Sequence, residues 1–287
     1  MDFPAYLSPV QFEDFVRRAF AEDVGDGDHA TLAAVPATAT RQARLLIKDE
    51  GCLAGVAAAV GIFAIADPDL VVQVQIADGA AVSHGQVGFQ VKGKAQSILT
   101  AERLVLNTMQ RMSGIATLTQ RAVRLLDGTR TRLLDTRKTT PNFRAFEKWA
   151  VRIGGGQNHR FGLYDLVMLK DNHIDFAGGI AQAIASTRAY LRDTQRQLRI
   201  EIETRNLTEV EEVLSVGGVD IIMLDNMSPE QMKTAVALIG GRFETEASGG
   251  ITLDDLPAVA AAGVDFVSMG ALTHSAQPLD MSLKADG

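Results

Sequence analysis

Between positions 130 and 173 the chain gathers nine Lys/Arg against four Asp/Glu (Asp135, Glu147, Asp165 and Asp171), a local balance of about +5 in a protein whose formal charge is −7. A basic field inside an acidic chain suits a cleft that holds a strongly anionic small molecule. Arg137 offers a planar fork that matches carboxylate or phosphate, and Lys138 beside it a compact charge. Asp135 is either a ligand or a cap for its loop, and Thr139-Thr140-Pro141 suits a turn before a helix. Gly154-Gly155-Gly156 permits close backbone approach and positive φ. With His159 and Arg160 just downstream, the glycines suggest a dedicated anion site. No Gly-Lys-Ser/Thr ending follows, so this is not a nucleoside-triphosphate loop. Lys170 ends an apolar run, with Asp171 and His173 as candidate partners for its ammonium.

The acidic side lies downstream. Glu203 and Asp225 each end an apolar run, and two carboxylates at neighbouring strand ends suit a hydrated Mg²⁺ or the hydroxyls of a sugar. Glu201 and Glu203 fall on one strand face, two residues apart, so at most one is chemical and the other structural. Ser248-Gly249-Gly250 and Ser268-Met269-Gly270 supply small residues and backbone N–H groups, which fit a phosphate. His29, His84 and His274 have no companions at metal-ligand spacing and read as structural or exposed. No Ser/His/Asp or Cys/His nucleophile arrangement stands out. A sugar phosphate together with a second acidic substrate would engage every part of this set.

Positioning these residues requires strands that end at one place. Six apolar runs recur after Ser113, at Thr131–Asp135, Leu166–Lys170, Leu198–Glu203, Asp220–Asp225, Phe243–Ala247 and Asp265–Met269. Each is followed by a helical stretch, a pattern of βα units around a parallel sheet. The C-terminal strand ends of an α/β barrel form its active face, and here those ends carry the polar residues. A closed or partly open barrel is the expected architecture, with a doubly wound sheet as the alternative. The first hundred residues read instead as a small α+β domain. They contain a helix over Pro9–Ala21 capped by Ser8, short strands at Ala43–Lys48, Val71–Gln75 and Gly88–Gly93, an Ala-rich helix near Ala54–Ala66 and an Asp78-Gly79 turn. Ile98–Met112 is an amphipathic helix, with Leu99, Leu104, Leu106 and Met109 on its apolar face and Thr100 as its candidate cap.

The 287 residues can bury a sizeable core in one large domain or two modest ones. The acidic balance argues against non-specific nucleic-acid binding. Cys52 is the only cysteine, which excludes an internal disulfide and a cysteine zinc cluster. The first twenty residues lack the pattern of a signal peptide, and no apolar run reaches membrane length. The expected location is the cytoplasm.

The motifs DTRKTTP, GGGxNHR, LxDxVxxKDNH, IEIE, IMLDN, EASGGI and SMGALT occur in the order and rough spacing of the quinolinate phosphoribosyltransferase family, which the chain resembles over almost its whole length. EDVGDGD and AERLVLN…RMSGIAT upstream are similar to it as well. The resemblance implies a type II phosphoribosyltransferase-like fold: an N-terminal α+β sandwich over 1–113, an incomplete α/β barrel over 114–274, and a C-terminal tail (275–287) returning to the first domain. It implies a homodimer with shared sites, or a hexamer built from such dimers. Arg137, His159, Arg160 and Lys170 would hold the dicarboxylate and neighbouring phosphates. Arg103 would arrive from the partner subunit, and Lys138 would face phosphoribosyl pyrophosphate. Glu203 and Asp225 would serve ribose and Mg²⁺. Ser248, Gly249, Gly250 and Gly270 would take the 5′-phosphate. Lys138, Lys170, Glu203 and Asp225 form the expected catalytic group.

The implied activity is that of a carboxylating nicotinate-nucleotide diphosphorylase: quinolinate and phosphoribosyl pyrophosphate give nicotinate mononucleotide, pyrophosphate and CO₂. The chain departs from the family pattern at His29-Ala30-Thr31, Asn142-Phe143 and Trp149, away from the basic and acidic residues. Competing readings are a relative that uses another pyridine carboxylate and a noncatalytic ligand-binding relative. Retention of Lys138, Lys170, Glu203 and Asp225 weighs against the second.

Overall fold

The computed structural model describes residues 3–285. Its strands, in chain order, are β1 (Thr40–Ile47), β2 (Gly51–Cys52), β3 (Val71–Val74), β4 (Ala81–Val82), β5 (Val87–Lys94), β6 (Arg132–Leu134), β7 (Val167–Leu169), β8 (Ile200–Thr204), β9 (Ile221–Asp225), β10 (Glu244–Ser248), β11 (Phe266–Ser268) and β12 (Met281–Ala285). The chain forms two compact units. The first takes the residues up to Gln120, Thr139–Gly155 and the chain from Leu272 onward; the second takes Arg121–Lys138 and Gly156–Ala271. This division does not follow the sequence boundary at 113/114, because the segment after Lys138 belongs with the first unit.

In the first unit an antiparallel sheet runs β12-β1-β5-β3, and β2 pairs with β4. Alternation along β1 buries Ala43, Leu45 and Ile47 on one face, as expected for a sheet covered on one side. Helix Pro9–Val24 opens with a capping box between Ser8 and Gln11 and buries Phe12 and Val16. Phe12 and Phe15 meet Phe146 at ring-centroid distances of 5.9 and 4.4 Å, on helix Arg144–Ile153. These aromatic contacts are one reason the 139–155 segment belongs here.

The long helix Ala95–Arg124 runs well past both ends of the predicted 98–112 segment. Thr100 therefore sits inside it and donates to Asp28 at 3.4 Å; it is not a cap. Leu99 is 43% exposed, outside the buried stripe of Ala101, Val105, Met109 and Met112. The helix continues through Ser113-Gly114, where a side chain at Gly114 would collide with the Gln277 carbonyl.

The second unit is a six-stranded parallel sheet in the order β6-β11-β10-β9-β8-β7. That order is the chain order taken cyclically, with one opening between β6 and β7. A doubly wound sheet would reverse direction partway across, and this one does not. It is an incomplete α/β barrel. β9 is buried at four of its five positions and reads as a near-continuous apolar run, whereas β8 is buried at all five although it alternates Ile with Glu. Asp220 accepts the Ile200 amide at 2.7 Å and Asp265 accepts the Thr245 amide at 2.9 Å, so side chains from strand starts help hold the register. Among the described residues no helix is long and apolar enough to cross a membrane.

Gly154 follows helix Arg144–Ile153 at φ −73, an ordinary conformation for any residue. An added Cβ there would lie 2.5 Å from the Ala116 carbonyl and 2.7 Å from Thr119 Cβ. Gly154→Ala is expected to cost about 1–3 kcal/mol through overpacking alone. Equilibrium denaturation measures this, and an unchanged midpoint would contradict the packing described.

Candidate active site

The C-terminal ends of the parallel strands surround a cleft of about 600 Å³. Its cations are Arg137 and Lys138 after β6, His159-Arg160 on the segment beside β6, and Lys170 after β7. Gln157 bridges to Leu134, so the 157–160 segment runs alongside the β6 edge of the sheet. Glu203, Asp225 and Glu246 come from β8, β9 and β10, the strands away from the two edges. Apart from Asp171, which directly follows Lys170, the mouth has a cationic side at the barrel opening and an acidic side opposite.

Backbone placement on the cationic side depends on Asp135. Its fully buried carboxylate accepts the Asn158 carboxamide at 2.6 Å and the His159 amide at 2.9 Å. Thr136 Oγ accepts the Lys138 amide at 3.0 Å and closes the turn after β6. Arg160 donates to the Leu166 carbonyl at 3.2 Å. Burial and the neighbouring Arg137 charge hold the Arg160 guanidinium below its usual range, so these two cations stand within each other's field.

Lys170 pairs with Glu203 across the β7–β8 junction. The candidate partners Asp171 and His173 do other work: Asp171 accepts the Asn172 amide and His173 accepts the Lys170 amide at 3.0 Å. Glu203 also accepts the Asp171 amide at 3.3 Å. Asp225 accepts the Asn226 carboxamide at 2.7 Å. Asn226 is held at φ 55, and its own amide donates to the Ser248 carbonyl at 2.9 Å. That turn lies against Gly249, where an added Cβ would come within 2.3 Å of Asn226 Oδ1. Gly249 is therefore required both by contact and by its φ of +102.

His159 is the most enclosed of these cationic-side residues. Its Nε2 lies 3.2 Å from Glu201 and 3.3 Å from Glu246, both buried, while the Arg160 amide donates to Nδ1 at 2.6 Å. Burial opposes a charge on the imidazole, but hydrogen bonds to Glu201 and Glu246 overturn that and push it up to about 10. Burial and the Glu246 charge push Glu201 up to about 7. The Arg160 amide takes Nδ1 as its acceptor, so Nε2 is the ring nitrogen that faces the two carboxylates.

Of the residues singled out in the sequence, Arg137, Lys138, His159, Arg160, Lys170, Glu203, Asp225, Ser248, Gly249 and Gly250 line this one cleft. Gly270 does not line it; Ser268, at the end of the same strand, does. Arg103 is exposed on the long helix of the first unit and is not part of the lining. The three glycines at 154–156 are likewise absent from the lining, which corrects their reading as an anion cradle. Gly154 is there for packing and Gly155 for a φ of +94. Thr140 caps Glu147 in the first unit, donating to it through both its amide and its hydroxyl, as suits a turn before a helix. Arg144, Lys148 and Arg152 lie on that helix, so the basic window is not one patch. Sequence reasoning missed Glu246, which is two residues before Ser248 and on the same face of β10. The strand period of two was the available signal.

Fold and mouth together define an α/β-barrel protein built to bind two anionic small molecules. Two family models match it: the quinolinate phosphoribosyl transferase N-terminal domain over residues 28–113 and the C-terminal domain over 115–284. Quinolinate phosphoribosyltransferase (decarboxylating) 1 of Nicotiana glauca is 46% identical over 287 residues, covering 94% of this chain and 81% of that protein. A probable nicotinate-nucleotide pyrophosphorylase (carboxylating) of Bacillus subtilis is 40% identical, covering 96% and 94%. The crystal structure of NadC from Streptococcus pyogenes superposes with a TM-score of 0.91 at 42% identity, covering 97% of each chain. The chain belongs to the quinolinate phosphoribosyltransferase family.

Arg137→Ala and Lys170→Ala each remove one cation from a preorganised mouth and should cut turnover by about 10²-fold or more. The unfolding midpoint should stay near that of the unaltered protein. Steady-state rates of the purified variants test this, and near-normal turnover would remove either residue from the site.

Proposed function

We propose that this protein transfers the phosphoribosyl group of phosphoribosyl pyrophosphate to quinolinate and decarboxylates the product to nicotinate mononucleotide, a step of NAD biosynthesis. The observation that carries this reading is the polarised mouth: cations at the barrel opening for a pyridine dicarboxylate, and carboxylates opposite for a ribose. Its place in the quinolinate phosphoribosyltransferase family supports it.

The chemistry follows from positioning and charge. Arg137 and Arg160 orient the two carboxylates, with Lys170 alongside and His159 behind Arg160, so that the ring nitrogen faces the anomeric carbon. The nitrogen forms its bond to that carbon as the bond to pyrophosphate breaks, and Lys138 offsets the charge that departs. Glu203 and Asp225 lie where positive charge develops on the ribose. Ser248-Gly249-Gly250 closes against the 5′-phosphate, with Ser268 beside it. The 2-carboxylate then leaves as CO₂; its bonding pair stays on the ring carbon beside the cationic nitrogen, and that carbon takes up a proton. No protein nucleophile is needed.

The donor set fits Mg²⁺. Glu203 and Asp225 are oxygen ligands on adjacent strands facing one cleft, which suits a hard cation that retains water. They would hold the ion, whose chemistry when bound is to neutralise charge on the pyrophosphate.

In this proposal the protein is a homodimer in which Arg103 of one subunit completes the other's site. Its exposure in the first third of a 30-residue helix supports that use. A hexamer would be built from such dimers. A cytoplasmic location suits a chain with a single, buried cysteine, Cys52.

Incubation with quinolinate, phosphoribosyl pyrophosphate and Mg²⁺ should release nicotinate mononucleotide and CO₂ together, and a chelator should suppress both. Preference for nicotinate as acceptor would overturn the dicarboxylate reading. Mixing inactive Arg103→Ala protein with inactive Lys170→Ala protein should restore about a quarter of wild-type activity if subunits exchange at random and each site takes one residue from each subunit. No recovery in demonstrated mixed dimers would place Arg103 outside the shared site.

A further inference from the structure

We infer that Glu201 and Glu246 are positioning residues, which anchor the His159 imidazole from beneath the mouth and thereby set the Arg137–Arg160 pair for the substrate dicarboxylate. Neither carboxylate was needed in the steps above. Glu201 lies on β8 two residues below Glu203, and Glu246 on β10 two residues below Ser248. By the strand period, each sits on the same face as its partner at the mouth but one layer deeper. From two different strands they converge on one atom, His159 Nε2, at 3.2 and 3.3 Å.

The rest of the ring is held as well. The Arg160 amide donates to its Nδ1 at 2.6 Å, and Asp135 accepts the His159 amide at 2.9 Å. Arg160 therefore follows a ring that is hydrogen-bonded at Nδ1 and faces two carboxylates at Nε2.

Stability does not explain this arrangement. Two buried carboxylates and one imidazole are expensive to desolvate, and apolar residues would fill a barrel core at lower cost. Retained negative charge beneath two neighbouring guanidinium groups does have a use. It offsets their mutual repulsion, and the Glu201 charge acts on Arg160 in that sense. The dicarboxylate then meets two cations that are already in place, which is preorganisation in the usual sense. Groups behind the contacting residues commonly control them in this way.

The inference rests on quinolinate being the ligand of the cationic side. Glu201→Gln and Glu246→Gln keep shape and remove charge, so two independent variants are available should one fail to fold. In folded protein each is expected to raise KM for quinolinate about tenfold, while KM for phosphoribosyl pyrophosphate changes by less than about twofold. A folded variant with unchanged quinolinate KM overturns the inference. An equal rise in both constants also overturns it, because that marks general loosening of the barrel. The three side chains also have ligand atoms within 4.8 Å of one another. A transition metal in the purified wild type that is lost in Glu246→Gln would make the cluster a metal site and overturn the positioning role. If the unaltered enzyme turns over quinolinate but the variants behave as wild type, only this inference fails. If the unaltered enzyme ignores quinolinate, both it and the proposed function fail.

Discussion

The Arg137 guanidinium stands close enough to Arg160 to disfavour its charge, and Arg160 is half-buried besides. The surroundings of the mouth make that pair tolerable. Asp135 fixes the backbone on which His159-Arg160 is carried, and the acids of β8 and β10 lie beneath. A ligand with two carboxylates would bring further negative charge to this pair. The arrangement spends some stability of the free protein on readiness to bind.

The barrel order makes this possible. With its opening between β6 and β7, the sheet brings two strand ends separated by more than thirty residues of chain to its two edges, and both carry cations. The acidic residues arise on β8, β9 and β10, opposite that opening. Opposite charges thus share one mouth and meet across it: Lys170 pairs with Glu203 on neighbouring strands, and His159 faces Glu201 and Glu246. In the proposed mechanism the Lys170–Glu203 pair is where the dicarboxylate side meets the ribose side.

Much of this was legible in the chain. Six runs with polar ends became six parallel strands, since strands covered on both faces, such as β9, are largely apolar while their ends are free to carry function. Ser8 announced the first helix because its side chain satisfies amides that the helix cannot. The charge count was a poorer guide. Arg144, Lys148 and Arg152 are near Arg137 in sequence but belong to the other compact unit, on a helix bound to Phe12 and Phe15 by aromatic packing. The triple glycine looked like a cradle, yet Gly154 answers to the Ala116 carbonyl, a contact that no local pattern encodes.

What the sequence determined by itself were local and periodic matters: which segments are strands, which residues end them, and which motifs place the chain in a family. These follow from side-chain sterics, solvation and spacing, which act over a few residues. Tertiary structure alone decided which charges meet. The pairing of Lys170 with Glu203 rather than with Asp171 or His173, and the meeting of Glu201 and Glu246 at one imidazole, depend on strand order and register. Coulomb energy depends on distance through space, and only the closed arrangement of the sheet sets that distance.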